Sequence, residues 1–92
     1  MTEPYGVVVA GPAARAIAEG LPEAVSAAVI EFVTTALVQD PHRVGRELRN
    51  ELAGIFAARR GTYRVLHRVD DERREVVVLR VDHRRDVYRS QP

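Results

Sequence analysis

Arginine is the residue type whose number and position in this chain point most directly to chemistry. All 14 basic residues are arginines, a preference that GC-rich coding also explains. Residues 42–92 hold 13 of them beside eight acidic residues, a net charge of +5, whereas residues 1–41 hold one arginine and five acidic residues, a net charge of −4. A guanidinium group is a planar fork that suits phosphate and stays charged at working pH. The uneven charge therefore indicates that one face of the protein binds a polyanion.

The elements that position these arginines follow from the spacing of apolar residues. A short β-branched segment precedes two stretches with helical spacing, and apolar and polar residues then alternate as in strands. Residues 40–54 are polar and carry glycine and proline, which predicts a loop. The predicted order is one strand (6–10), two helices (12–19 and 22–38) and three strands (55–60, 62–69 and 75–81). This order predicts an α+β fold, with a two-helix hairpin packed on a mainly antiparallel four-stranded sheet.

Length and composition limit the class of protein. A chain of 92 residues with 46% hydrophobic content predicts one globular domain over residues 1–92. The chain has no cysteine, and its three histidines lack the spacing of a metal site. No apolar segment reaches the roughly 20 residues that span a bilayer, and the N-terminus lacks a secretion signal. We therefore expect a cytoplasmic protein with no membrane association, no metal and no cofactor.

Two of the predicted strands are expected to lie inside the sheet. Residues 6–10 are mostly β-branched and predict a strand that is buried on both faces or nearly so. Residues 75–81 are almost continuously apolar, which predicts a central position. His67, among apolar neighbours in the middle of the preceding strand, is expected to be a packed structural residue.

The last three predicted strands can bring charged side chains to one end of the sheet. If they form a meander, the start of the second of these strands lies near the end of the third. Arg64, Arg84 and Tyr88 then converge at that end, next to Arg59 or Arg60. The sequence therefore predicts a cluster of guanidinium groups with one phenol.

Three segments carry a resemblance to a known family. Residues 60–65 (RGTYRV), an acidic turn and residues 83–88 (HRRDVY) resemble the RelE/ParE toxin superfamily, in particular its actinobacterial RelE-type toxins. Residues 48–54 (LRNELAG) are similar to a link segment of that family, and the similarity covers nearly the whole chain. The resemblance implies a RelE-like fold and a toxin of a type II toxin–antitoxin system. It implies an mRNA interferase, a ribosome-dependent endoribonuclease that cleaves messenger RNA in the A site and inhibits translation.

The resemblance also implies which side chains act. The family's strand arginine, which follows a tyrosine, matches Arg64, and its C-terminal tyrosine matches Tyr88. Its second arginine matches Arg84, with Arg85 as the alternative. Attack of a 2′-hydroxyl on phosphate needs a base and stabilisation of the developing charge, which guanidinium groups supply without a metal. Tyr88 serves either as that base, since arginines favour the phenolate, or as a platform that stacks on an RNA base.

The best-known members of the family also use two lysines on the second strand, and this chain has none. Arg59 and Arg60 are the nearest substitutes, and His83 can transfer protons near neutral pH. The predicted catalytic residues are Arg64, Arg84, Tyr88, Arg59 and His83. The predicted RNA- and ribosome-binding residues are Arg60, Arg68, Arg85 and Arg89.

Simpler interpretations and other functions stay open. An ion pair with a cross-strand acid such as Glu75 is an alternative role for Arg64, and Tyr88 could close over the core. A ParE-like gyrase poison shares the fold but acts by binding a protein. A third function is that of a weakly active toxin that mainly binds its antitoxin and autoregulates its operon. The set of Arg64, Arg84 and Tyr88 favours the nuclease, whereas the missing lysines keep the third function open.

Partners follow from the same resemblance. It implies a cognate antitoxin, RelB-like and acidic, that is encoded by an adjacent gene and covers the basic face. The ribosome and its messenger RNA are the other expected partners. Operator DNA is expected to be bound only through the antitoxin.

Overall fold

The structure, a computed structural model, describes residues 3–83. Four predicted site residues lie outside the described residues, namely Arg84, Arg85, Tyr88 and Arg89. The helices are α1 (Gly11–Arg15), α2 (Glu23–Phe32) and α3 (Pro41–Val44). The strands are β1 (Gly6–Val9), β2 (Arg46–Glu47), β3 (Phe56–Arg60), β4 (Tyr63–Asp70) and β5 (Glu75–His83).

Both helices of the predicted hairpin contain a wider π-helical turn. The chain continues from α1 through Ala16–Gly20 and from α2 through Val33–Leu37. The predicted helical stretches 12–19 and 22–38 are therefore confirmed to within a residue at each end. Glu23 lies in the first turn of α2, where an acidic side chain interacts favourably with the helix dipole.

Within residues 3–83, five strands form one mixed sheet in the order β1-β5-β4-β3-β2. β1 is parallel to β5, and the other neighbouring strands are antiparallel. The predicted α+β fold and the meander of the last three strands are confirmed, but the predicted count of four strands is too low. The additional strand, β2, lies in residues 40–54, which the sequence predicts as a loop. Two residues are too few to show the alternation that identifies a strand.

β1 is an exposed edge strand, so the prediction that it is buried on both faces is wrong. Val7, Val8 and Val9 are 36% to 43% exposed, and the hydrophobic core contains no residue of β1. The helices pack mainly on β4 and β5 instead. β-branched side chains favour a strand, but the burial of that strand depends on its neighbours.

The core lies between the helices and the middle of the sheet. Val29, Phe32 and Leu37 are buried on the helical side, and Val65 and Val78 are buried on β4 and β5. β5 lies between β1 and β4, which confirms its predicted central position. The helices therefore cover one face of the sheet. The opposite face of β3, β4 and β5, called the outer face from here on, carries the residues that alternate with the core residues.

A β-bulge in β5 decides which of its residues reach the outer face. Val78 is buried before the bulge and Val81 after it, three residues apart instead of two. Arg80 pairs with Leu66, whereas the next residue of β4 pairs with Val78. One extra residue on β5 therefore reverses the direction of every later side chain on the strand. As a result, Arg80 and Asp82 lie on the outer face.

Candidate functional site

Arg59, Arg64 and Asp82 form a row across the outer face of β3, β4 and β5. Arg59 lies directly opposite Arg64, and Arg64 lies directly opposite Asp82. Their strand neighbours Ala58 and Val65 are buried, so alternation directs the row to solvent. Two like charges placed directly opposite each other destabilise a sheet. The carboxylate at the end of the row offsets part of that repulsion.

Asp82 binds two arginines at once. Its Oδ2 accepts a hydrogen bond from Nη2 of Arg64 at 3.2 Å, and its Oδ1 accepts one from Nε of Arg80 at 2.7 Å. The side chain of Asp82 is 15% exposed, while those of Arg64 and Arg80 are 45% and 68% exposed. The carboxylate therefore lies at the base of this cluster, and the two guanidinium groups extend above it into solvent.

A second row, beside the first, ends in an arginine on each side. Arg46 of β2 is opposite Ala57, Ala57 is opposite Leu66, and Leu66 is opposite Arg80. Arg46 and Arg80 are both exposed. The outer face thus carries a broad positive surface around Arg64.

A groove of about 920 Å³ opens at the β2 side of this surface. Arg43, Arg46, Arg59 and Arg64 line it together with other residues of α3, β2 and β3. A volume of this order falls in the range of about 300–1,000 Å³ that is typical of ligand pockets. Several guanidinium groups that line one groove can bind a phosphate through charge-assisted hydrogen bonds.

The structure brings Arg59 and Arg64 together but separates Arg60 from them. Arg60 points to the helix-covered face, where its guanidinium carbon lies 4.8 Å from the centroid of the Phe32 ring. That distance is typical of a cation–π contact. Alternation explains the separation, because consecutive residues of a strand point to opposite faces. Arg68 shares the outer face with Arg64, four residues further along β4.

His83 also lies on the helix-covered face. It is in register with Tyr63 and is 8% exposed. Its Nε2 lies 3.1 Å from Oγ1 of Thr62. Because its neighbour Asp82 faces outward, His83 and Arg64 are on opposite sides of the sheet.

His67 is a packed structural residue, as the sequence predicts. It is fully buried, and its ring stacks on Phe56 with the centroids 5.8 Å apart. Its Nδ1 lies 3.3 Å from the carbonyl oxygen of Val65, and its Nε2 has no hydrogen-bond partner among the described residues. Burial is the main cause that lowers the pKa of His67 below its ordinary value.

Gly45 allows the corner between α3 and β2 to pack directly on this ring. A Cβ atom at this position would lie 2.8 Å from two atoms of His67. The buried ring has little room to move, so glycine is the residue that fits here. His67 and Gly45 together fix the corner that forms one wall of the groove.

A polar cluster joins the N-terminal segment to the turn between β4 and β5, at the other end of β4 from Arg64. Oδ1 of Asp71 accepts a hydrogen bond from the Tyr5 hydroxyl at 2.7 Å and lies 2.9 Å from Nε2 of His42. The guanidinium carbon of Arg74 lies 4.3 Å from the centroid of the Tyr5 ring. The hydrogen bonds from Tyr5 and His42 lower the pKa of Asp71, and the hydrogen bond to Asp71 raises the pKa of Tyr5.

Sequence reasoning missed three residues of the outer face, namely Arg46, Arg80 and Asp82. Arg46 lies in the segment predicted as a loop, and the bulge conceals the direction of the other two. The alternative in which Arg64 pairs with a cross-strand acid does occur, but with Asp82. Glu75 lies at the far end of β5 and cannot make that pair.

Neither a metal-binding cluster nor a membrane-spanning helix occurs in residues 3–83. Within this range, no group of three or more His, Cys, Asp or Glu side chains could hold a metal ion. None of the helices in the same range has the length and apolar character that crossing a membrane requires. The candidate site described above consists of arginines and one carboxylate.

Comparison with known proteins identifies the family. A family model described as the ParE toxin of the type II toxin–antitoxin system parDE matches residues 10–88. Toxin RelG of Mycobacterium tuberculosis is 61% identical over 69 residues, which are 75% of this chain and 79% of that protein. Toxin RelE of the same organism is 43% identical over 89 residues, which are 97% of this chain and 91% of that protein.

A solved structure agrees with these sequence matches. A chain of the toxin–antitoxin complex RelBE2 from Mycobacterium tuberculosis has a TM-score of 0.86 and 54% sequence identity, over 89% of this chain and 100% of that chain. The similarity confirms the RelE-like fold that the resemblance implied. The chain therefore belongs to the RelE/ParE superfamily of toxins from type II toxin–antitoxin systems, and within it to the RelE-type toxins.

Proposed function

We propose that this toxin is an mRNA interferase, an endoribonuclease that cleaves messenger RNA in the ribosomal A site and so inhibits translation. The observation that carries the proposal is the placement of Arg59 and Arg64, which lie opposite each other on the outer face and line the same groove. Guanidinium groups in such a pair suit a phosphodiester of single-stranded RNA. The similarity of this chain to RelE-type toxins also supports RNA as the substrate.

The chemistry requires charge stabilisation more than any other contribution. A ribose 2′-oxygen attacks the neighbouring phosphorus, the bond from phosphorus to the 5′-oxygen breaks, and the products are a cyclic phosphate and a free 5′-hydroxyl. Negative charge grows on the non-bridging phosphate oxygens as the new bond forms. Arg59 and Arg64 donate hydrogen bonds to those oxygens and stabilise the charge, so this mechanism requires no metal ion.

Proton transfer is assigned to residues that follow β5. Tyr88 remains the predicted base or stacking platform, and Arg84 or Arg85 remains the predicted second site arginine. The end of β5 lies beside the start of β4, where Arg64 is located, which supports their predicted place. The position of His83 on the helix-covered face favours Tyr88 as the group that moves the proton.

The predicted RNA-binding arginines differ in the support that they have. Arg68 is exposed on the outer face and is proposed to contact the RNA backbone near Arg64. Arg60 packs over Phe32 on the other face, so a contact with ribosomal RNA suits it better than one with the cleaved message. Arg89 is proposed to add a further backbone contact.

The partners proposed for this chain follow from its relatives. The RelBE2 structure of Mycobacterium tuberculosis is a complex of a toxin with an antitoxin. We infer a RelB-like antitoxin for this chain, with an acidic segment whose carboxylates pair with the outer-face arginines. Operator DNA is bound only through that antitoxin. A toxin that acts on ribosomes works in the cytoplasm.

Primer extension on a message bound to purified ribosomes tests the proposed function. Wild type is expected to cut the ribosome-bound message. Arg59→Ala and Arg64→Ala should each lower the cleavage rate by roughly 100-fold, because each removes donors that stabilise the transition state. Arg73→Ala, in the turn between β4 and β5, removes the same charge at the far end of the sheet and is expected to cleave like wild type.

Two other outcomes separate the remaining functions. An intact message together with DNA breaks trapped on gyrase would identify a ParE-like gyrase poison. An intact message with retained antitoxin binding would identify a weakly active toxin whose role is to bind its partner. Either outcome for the wild-type protein overturns the proposed nuclease activity.

A further inference from the structure

We propose that Asp82 is a positioning residue that holds Arg64 and Arg80 as a pair, so that both guanidinium groups bind the phosphate that is cleaved. The proposal rests on the proposed ribonuclease function and deepens it. It adds Arg80 as a phosphate-binding residue and Asp82 as the residue that orients the pair.

The hydrogen bonds to Asp82 fix the direction of both arginines without occupying all of their donors. Arg64 uses its Nη2 on one carboxylate oxygen, and Arg80 uses its Nε on the other. A guanidinium group carries further N–H donors in the same plane. Each contact therefore fixes the plane of a guanidinium group and leaves other N–H donors of that group available to a phosphate.

The surrounding charges make this cluster a site for an anion. Arg59, Arg64 and Arg80 bring three positive charges to one carboxylate, so the cluster keeps a net charge of +2. A carboxylate that is only 15% exposed is stable when such partners compensate for its lost hydration. The excess positive charge is available to a phosphate that approaches from solvent.

A carboxylate near a phosphate site could also act as a competitor that RNA must displace. The depth of Asp82 argues against that role, because its side chain lies below the more exposed guanidinium groups of Arg64 and Arg80. A phosphate that enters from solvent meets those groups first. Asp82 can therefore stay in place while the substrate is bound.

Kinetics with a charge-matched control test this role. Asp82→Asn removes the charge and keeps the shape, and Glu72→Gln removes the same charge from the exposed turn between β4 and β5. Asp82→Asn is expected to lower kcat for ribosome-bound message by roughly 10- to 100-fold, because misplaced groups lose transition-state contacts. KM should not rise, because the more positive face still attracts RNA. Glu72→Gln should cleave like wild type.

Arg80 is tested by substitution and chemical rescue. Arg80→Ala is expected to lower kcat/KM, and guanidinium ion added to the reaction should restore part of the lost rate. An Arg80→Ala variant that cleaves like wild type would remove Arg80 from the site. Loss of rate without any rescue, in a variant that melts at a lower temperature, would indicate a structural role instead.

NMR spectra of the arginine Nε–H groups provide a readout that does not depend on cleavage. The Arg80 signal is expected to shift in Asp82→Asn and to stay in place in Glu72→Gln. An unchanged signal would contradict the pairing itself. A shifted signal combined with normal or faster cleavage by Asp82→Asn would overturn the positioning role.

Cleavage by wild type and by Asp82→Asn distinguishes failure of the proposed nuclease function from failure of the positioning role. If wild type leaves the message intact, the proposed ribonuclease function fails and the role of Asp82 in catalysis fails with it. If wild type cuts the message and Asp82→Asn cuts it equally well, the nuclease assignment stands and only the positioning role is wrong.

Discussion

At the scale of single residues, two contacts define the site and its surroundings. Asp82 holds Arg64 and Arg80 on the outer face. On the other side of the sheet, the ring of His67 lies against Gly45 with no space for a Cβ atom. The first contact directs the guanidinium groups, and the second fixes the wall of the groove. Both are tight enough that a small change in charge or volume has a measurable effect.

The buried imidazole of His67 predicts a loss of stability in weak acid. Burial lowers its pKa from 6.5 in the folded protein, so at lower pH the unfolded chain binds a proton that the folded protein does not. The contribution of neutral His67 to the free energy of unfolding is therefore fully present above pH 6.5. It decreases as the pH falls below that value. The slope reaches up to about 1.4 kcal/mol per pH unit, and the loss ends below the folded pKa.

Urea unfolding of wild type and His67→Leu, between about pH 8 and about pH 5, measures this effect. The variant is expected to lose less stability than wild type across the window. Asp71, whose pKa is lowered from 3.8, acts in a more acidic range and does not obscure the comparison. Equal pH slopes for the two proteins would show that His67 is not the group that titrates.

At the scale of elements, the parallel pair of β1 and β5 combines an exposed strand with a buried one. Val7 and Val76 are in register, but Val7 is 36% exposed and Val76 is 0% exposed. Val76→Ala is expected to cost about 2 kcal/mol in the free energy of unfolding, because it removes buried methyl groups and leaves a cavity. Val7→Ala should cost less than about 1 kcal/mol. Urea unfolding measures both, and equal losses would contradict the assignment of β1 as an exposed edge.

The sequence could predict most elements of this fold but not how each one is placed. Alternation along Tyr63, Arg64 and Val65 predicts β4 and the residues that share a face, because successive side chains of a regular strand point to opposite faces. It does not identify the face that the helices cover, since both faces carry apolar and polar residues. Nor can it place Asp82, because the bulge before it arises from packing between neighbouring strands. The sequence could therefore predict that Arg64 pairs with an acidic residue, but not that this residue is Asp82.

At the scale of the whole molecule, acidic and basic side chains are spread unevenly over the two sides of the sheet. Glu23 and Glu31 are exposed on the helical layer, and Arg59, Arg64 and Arg80 are exposed on the outer face. The net charge of +1 thus conceals a strong asymmetry. An asymmetric protein of this kind orients itself as it approaches an RNA surface.

The arginine face predicts a strong dependence of cleavage on salt. Three arginine–phosphate contacts to single-stranded RNA correspond to a roughly 20-fold loss of affinity for a fourfold rise in salt. We expect kcat/KM on ribosome-bound message to fall by at least that factor. Arg80→Ala should make the loss over the same fourfold rise in salt about 2.6-fold smaller, since one contact is lost. Arg73→Ala should leave it unchanged, and a salt-independent kcat/KM would contradict an electrostatic interface.

The bulge in β5 also separates the strand into two parts with different numbers of neighbours. Residues 75–78 pair with β1 on one side and β4 on the other. In the described part of the chain, residues 80–83 pair with β4 alone. Backbone with one partner strand opens at a lower free energy than backbone with two. Amide hydrogens beyond the bulge should therefore exchange with solvent sooner than those of residues 75–78, where the parallel strands stay joined.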